Sequence, residues 1–260
     1  MPLRLLALVL VLLAAGCGTG GGGTPVLQEE RTSAPATVLQ VDPATAEKAY
    51  GLLGELDEAR QRRDCAAVED LTTWAERTLG GRACKATRNG RPARPGKPAF
   101  LMPDSPDWFA VLTREPSPAY HLFFLEDGRW RLGAGPIPVR EGRTQPSSGV
   151  RSPSSLLRTA RLVPQRHLTY LTDPAGVAGV RFPSGDAMRG LLKDVTRQHA
   201  DVELYGTRSL TIPLDAKAVL VFDAVRLTYA GKRTELVLMV SEVTEGNTIR
   251  TLGLRRARVS

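Results

Sequence analysis

Tyr120-His121-Leu122-Phe123-Phe124-Leu125-Glu126-Asp127-Gly128-Arg129-Trp130-Arg131-Leu132 is the stretch that decides the fold. Residues 120–125 and 130–132 have strand composition, and Glu126-Asp127-Gly128-Arg129 between them has turn chemistry, so the segment reads as a hairpin. Alternation sets His121, Phe123 and Leu125 on one face and Tyr120, Leu122 and Phe124 on the other, and both faces are apolar. Upstream, Phe100 to Met102 and Trp108 to Thr113 add two strands. Before them the period becomes helical. Asp42-Pro43 opens a helix that carries Ala46, Ala49, Leu53 and Leu56 on one face and runs to Arg62. Asp64 caps a second helix, with Val68, Leu71 and Ala75 on its buried face and its end at Gly80-Gly81. Helices followed by antiparallel hairpins predict an α+β fold in which helices pack on a curved antiparallel sheet.

Downstream the pattern starts again. Gly133 to Gly149 is rich in Gly, Pro, Ser and Arg without an apolar period, which reads as a linker. A helix is expected over Gln165 to Leu171, stopped at Asp173-Pro174. Another should be capped by Ser184, with Met188, Leu191, Leu192 and Val195 on one face. Strands follow at Val202 to Tyr205, Ser209 to Pro213, Ala218 to Tyr229, Thr234 to Val243 and Thr248 to Arg258, with turns at Ala230-Gly231 and Glu245-Gly246-Asn247. The order of helices and then strands thus occurs twice, with no residue-level repeat.

At the other end of the chain, Arg4 and the apolar run Leu5 to Leu13 form an export signal too short to span a bilayer. Ala14-Ala15-Gly16-Cys17 after it resembles the bacterial lipobox. In lipobox proteins the cysteine becomes the first residue, its thiol takes a diacylglycerol and its amine an acyl chain, enough for stable anchoring. Cys17 is therefore the expected lipidation site. The Gly-rich segment that follows reads as a tether reaching on the order of 25–30 Å. Its Gly18, Gly20 and Gly23 match a dinucleotide fingerprint only by chance, since no strand precedes them and no helix follows. The organisation expected is a signal peptide at 1–16, a lipidated tether at 17–42, an N-terminal α+β unit at 43–133, a linker at 134–155 and a C-terminal α+β unit at 156–260. Two cysteines remain after Cys17, and export favours pairing Cys65 with Cys84, a bridge worth about 3 kcal/mol on the chain-entropy estimate.

The lipobox, the tether, Ala49-Tyr50-Gly51-Leu52-Leu53, the hairpin, His167-Leu168-Thr169-Tyr170-Leu171 and Val180-Arg181-Phe182-Pro183-Ser184-Gly185 together resemble an uncharacterised family of actinobacterial lipoproteins. The shared region of that family is a domain of unknown function similar to the nuclear-transport-factor-2 or SnoaL-like cone. The resemblance spans most of residues 43 to 260. It implies that fold, and it implies no catalytic residues and no cofactor.

The residues themselves point away from several chemistries. His121, His167 and His199 have no metal-ligand spacing, and no H-E-x-x-H or C-x-x-C occurs, so no metal is expected. No serine begins an S-x-x-K or sits in a G-x-S-x-G elbow. SnoaL-like cones sometimes carry an Asp and a His for acid–base work. Here His121 and Asp107 are the residues available, although a histidine among phenylalanines more often packs than reacts. His167 reads as a cap or an interhelical bond, and His199 as a helix end, where an imidazole suits the dipole.

Composition adds where the charge lies. The chain has 260 residues, 42% hydrophobic and 24% charged, with a net charge of +8, which excludes collagen-like, disordered and multi-span membrane classes. Within 140–161 there are 5 basic residues against 1 acidic. Arg77, Arg82, Lys85, Arg88, Arg91, Arg94 and Lys97 come with no acid between Glu76 and Asp104. Two readings stay open for this run: a solvated loop, or contact with an anionic lipid or a phosphate-bearing wall polymer. Arg82, Lys85, Arg88, Arg91, Arg94 and Lys97 are the candidate contacts. Nucleic acid is not an expected partner, because the chain is exported and no aromatics interleave with the run. The function expected is that of a lipid-anchored component on the extracytoplasmic face of the cell membrane, binding or assembling with envelope partners without catalysis. The alternative is a SnoaL-like acid–base enzyme acting on a small hydrophobic substrate.

Overall fold

A computed structural model describes residues 40–86, 97–145, 152–175, 182–206, 210–231, 233–246 and 248–259, with only the backbone at 80–83, 85 and 86. Cys17, the signal peptide and the tether up to residue 39 lie outside them. Helices α1 (Pro43–Tyr50) and α2 (Leu52–Gln61) follow one another across Gly51, which keeps right-handed helical dihedrals. Asp42 caps α1, its carboxylate accepting from the Ala44 and Thr45 amides. Asp64 caps α3 (Cys65–Asp70) through the Ala67 amide. The second helix expected from the sequence is in fact two, because at Leu71–Thr73 the chain leaves the helix to pair with a strand. Leu132 donates to the Leu71 carbonyl at 3.0 Å and accepts from the Thr73 amide at 2.9 Å. Helix α4 (Trp74–Ala86) then continues through Gly80-Gly81 instead of ending there.

Strands β1 (Ala99–Leu101), β2 (Trp108–Thr113), β3 (Ala119–Glu126) and β4 (Arg129–Pro138) form an antiparallel meander in the order 1-2-3-4. The β3–β4 turn holds Asp127 at φ 50° and Gly128 at φ 73°, the positive dihedrals that a tight right-twisted hairpin needs. Register shifts between β3 and β4 bend the sheet. The stretch from Gly133 read as linker is, to Pro138, the second half of β4. Its glycines mark close approach, not a loop: a Cβ on Gly133 would lie 2.1 Å from the Phe124 ring.

The second half opens with α5 (Ser154–Arg161), which begins inside the expected linker, and continues with α6 (Val163–Thr172) and α7 (Ala187–Gln198). Asp186, not Ser184, caps α7, because Gly185 at φ 80° makes the turn that precedes it. His199 ends α7 in the left-handed conformation. Strands β5 (Asp201–Leu204), β6 (Leu210–Pro213), β7 (Ala218–Thr228), β8 (Thr234–Thr244) and β9 (Thr248–Val259) form a second antiparallel sheet. Both β5 and β6 pair with β7, opposite Val225–Thr228 and Val219–Phe222 respectively, so they are two pieces of one edge. Each half is therefore a set of helices followed by a four-position meander.

The apolar alternation of the strands places every layer. Phe109, Val111 and Phe123 face the first helices, against Ala46, Leu56 and Val68. On the opposite face Leu112, Tyr120, Leu122 and Phe124 meet Leu220, Phe222, Leu236 and Leu238 of the second sheet, with Tyr120 and Phe222 rings 5.3 Å apart. The far face of the second sheet, including Val221, Val237 and Met239, packs on Leu156, Val163, Met188 and Leu191 of α5–α7. The order of layers is helices, sheet, sheet, helices, and all described residues belong to one compact unit. Each fully buried Leu or Phe at these contacts contributes about 1.5–3 kcal/mol.

Candidate functional site

Three groups of polar residues are held by this frame. The first lies where the two halves meet. Glu76, 1% exposed on α4, accepts from the Gly135 amide at 3.2 Å and from the Arg255 guanidinium of β9, while Arg60 of α2 stands 3.5 Å away. Arg255 also donates to the Gly135 carbonyl at 2.7 Å. Beside it, Val139 and Gly253 form an isolated antiparallel bridge between β4 and β9. The carboxylate thus joins two helices and the last strand of each sheet.

His121 sits against this junction. Gly135 has φ 145°, and a Cβ there would lie 2.7 Å from His121 Nδ1, so the ring is held against bare backbone. The ring is packed in, Nδ1 is buried without a hydrogen-bond partner, and burial together with the Arg255 charge pulls its pKa down to about 4. Asp107 does not reach it. His121 pairs with Val111, and Asp107 lies four residues further along that strand, roughly 13 Å away at strand rise. Ser105 and the Leu125 amide take up polar atoms of Asp107 instead. The His121–Asp107 pairing considered from the sequence is not made.

The second group is a buried histidine–carboxylate pair in the second half. His167 of α6 and Asp223 of β7, 0% and 4% exposed, bring Nδ1 and Oδ2 to 2.9 Å, the imidazole donating to the carboxylate. The expected interhelical role of His167 is instead a bond from helix to sheet. Nε2 of His167 and Oδ1 of Asp223 are buried without partners, as are Oγ of Ser241 and Oγ1 of Thr251, which lie opposite each other on β8 and β9. Asp186 closes the row, its second oxygen accepting from the Thr251 amide at 2.8 Å. Asp223 gave no sequence signal, since it stands within the apolar strand run. One charged residue on the helix-facing side of such a strand is the sign that could have marked it.

The third group is the surface. Cys65 and Cys84 form the expected disulfide, with Cα atoms 5.6 Å apart, which ties the start of α3 to α4. Of the candidate anionic-surface residues, Lys97 is exposed just before β1. Arg82 and Lys85 fall on α4 with side chains outside the described residues, and Arg88, Arg91 and Arg94 lie wholly outside them. Gly142–Gln145 and Leu214–Asp215 line a cleft. Gln145 stitches this segment to both sheets, accepting from the Met102 amide and donating to the Met102 and Pro213 carbonyls. Tyr120 exchanges hydrogen bonds with the Arg143 backbone, and burial pushes its pKa up to about 12. Among the described residues no group of three or more His, Cys, Asp or Glu side chains is placed to hold a metal ion, and no helix is long and apolar enough to cross a membrane. No protein-family model and no curated protein matches the chain.

Proposed function

We propose that the protein is an exported lipoprotein, anchored by Cys17 to the extracytoplasmic face of the membrane, whose folded region is a non-enzymatic binding or assembly component of the cell envelope. The observation that carries this reading is the fate of the acid–base groups. Glu76 is engaged by donors from three elements, His121 is wedged against Gly135, and His167 and Asp223 are spent on each other under α6. In the first sheet the face that a small hydrophobic ligand would use is covered by Leu220, Phe222 and Leu238 of the second. What remains available among the described residues is the outer surface, with the cleft at Gly142–Gln145 and Leu214–Asp215.

The finer fold is part of the same proposal. Each half is read as a unit of the nuclear-transport-factor-2 or SnoaL-like kind. The support is the repeated order of helices and then a four-position meander, with register shifts that curve each sheet between its last two strands. The anchoring claim is tested by fractionation. Cys17→Ala should move the protein from the membrane fraction to the soluble exported fraction. Retention in membranes at the wild-type level sinks the reading.

A further inference from the structure

The corner between α5 and α6 combines three features. Leu162 is 47% exposed, against 37% for Leu125, the other exposed large hydrophobic residue among those described. It serves as both the last cap of α5 and the first of α6, with helical dihedrals of φ −87° and ψ −7°. Because the backbone stays helical through it, Arg158, Arg161, Leu162 and Gln165 fall at helical spacing on one face, and all four are exposed. Leu156, Ala160 and Val163 hold the opposite face in the core. Among the described residues Arg158 and Arg161 have no hydrogen-bond or ion-pair partner. Along the chain the charge is one-sided, since no Asp or Glu occurs from Gly142 to Thr172.

A leucine this exposed beside unpaired arginines has a chemical match in a bilayer interface. Guanidinium groups sit at the level of anionic head groups, and a single aliphatic side chain beside them enters the acyl boundary. A wall polymer would use the arginines alone and leave Leu162 in water. We infer that the α5–α6 corner is a membrane-contact surface, in which Arg158 and Arg161 bind the head groups of anionic lipid and Leu162 inserts beside them. This rests on reading the chain as an anchored lipoprotein. Its lipid and tether keep the folded region near the bilayer, and the corner would set which side of it faces the membrane.

The test uses the unlipidated Cys17→Ala chain collected after export, mixed with vesicles of phosphatidylglycerol in phosphatidylcholine or of phosphatidylcholine alone. The expected result is salt-sensitive sedimentation with the anionic vesicles only. Arg158→Gln with Arg161→Gln should weaken it about thirty-fold at low salt, from about 1 kcal/mol per basic residue. Leu162→Ser should weaken it roughly five-fold with the salt dependence kept, as loss of one inserted side chain predicts. In the Cys17→Ala background, Leu162→Cys carries the free thiol outside the disulfide, and an environment-sensitive dye on it should shift to the blue on anionic vesicles. Binding that neither substitution changes, or a dye that stays in water, overturns the proposal. So does binding lost only when Arg88, Arg91 and Arg94 are neutralised, which would move the contact to the other basic run. None of these outcomes affects the fractionation of wild-type against Cys17→Ala cells, where the anchoring claim stands or falls separately.

Discussion

In the first half of the molecule Glu76 turns toward the last strand of the second half, and in the second half His167 and Asp223 turn toward each other. Glu76 and Arg255 are 179 residues apart in the chain, whereas His167 and Asp223 are 56 apart. Both are buried polar contacts made by a helix, yet they do different work. The Glu76 cluster fastens the two sheets edge to edge where β4 passes β9. The His167–Asp223 pair fastens one helix to its own sheet. A buried polar group between halves therefore specifies how they dock, while one within a half specifies how that half is packed. Removing each should separate docking from packing.

The largest effect is expected at the junction. Glu76→Ala strips a carboxylate from two guanidinium groups and the Gly135 amide. Breaking a buried ion pair by removing one partner costs about 3–5 kcal/mol. Here the low end applies, about 3 kcal/mol, because the Arg60 and Arg255 side chains are 29% and 25% exposed and stay partly hydrated. Urea denaturation should show this loss with a broadened or split transition as the halves lose their common fastening. A single sharp transition shifted by less than about 1 kcal/mol would mean that the apolar sheet-to-sheet core docks the halves without Glu76.

His121 sharpens the same comparison through pH. It touches the junction and has a pKa pulled down to about 4 from 6.5. The unfolded chain therefore binds a proton at this site below pH 6.5 that the folded protein refuses until pH falls to about 4. Stability must decrease as pH drops through that window, by about 2 kcal/mol between pH 7 and pH 5, and this contribution levels off as pH falls below about 4. His121→Gln should remove that slope. If wild type and His121→Gln lose the same stability between pH 7 and pH 5, His121 is protonated freely in the folded protein and the packing described around it is wrong.

How far these features were legible in the sequence follows from their range. The hairpin was readable because Asp127-Gly128 is local chemistry for positive φ, and the caps at Asp42 and Asp64 because each bonds within three residues. The apolar character of both faces of β3 already said that two layers must cover it, although not that the second layer was the other half of the chain. Gly133 and Gly135 were misread because glycine marks a loop and a tight backbone approach alike, and only the Phe124 and His121 rings tell which. The break at Leu71–Thr73 was invisible because its cause, Leu132, is brought in by the sheet. Glu76 looked like one end of an acid-free run. Asp223 lies inside an apolar strand run, where nothing local marks it.

The smallest effect is expected where the packing is most local. Asp223→Ala leaves His167 Nδ1 without an acceptor in a site from which water is excluded, a loss of about 1–2 kcal/mol. His167→Leu should cost at least as much, because it strands the carboxylate. The double substitution removes both polar groups at once, and an apolar site of similar volume needs no hydrogen bond. It should therefore cost less than the sum of the single changes by about 1 kcal/mol, with one sharp transition retained throughout. Additive costs would mean that the two side chains do not depend on each other, and that the unpartnered Nε2 and Oδ1 edges have partners in solution, water among them, that matter more than the 2.9 Å contact. A transition that splits here as it is expected to split at Glu76 would erase the distinction between a contact that docks the halves and one that packs within one of them.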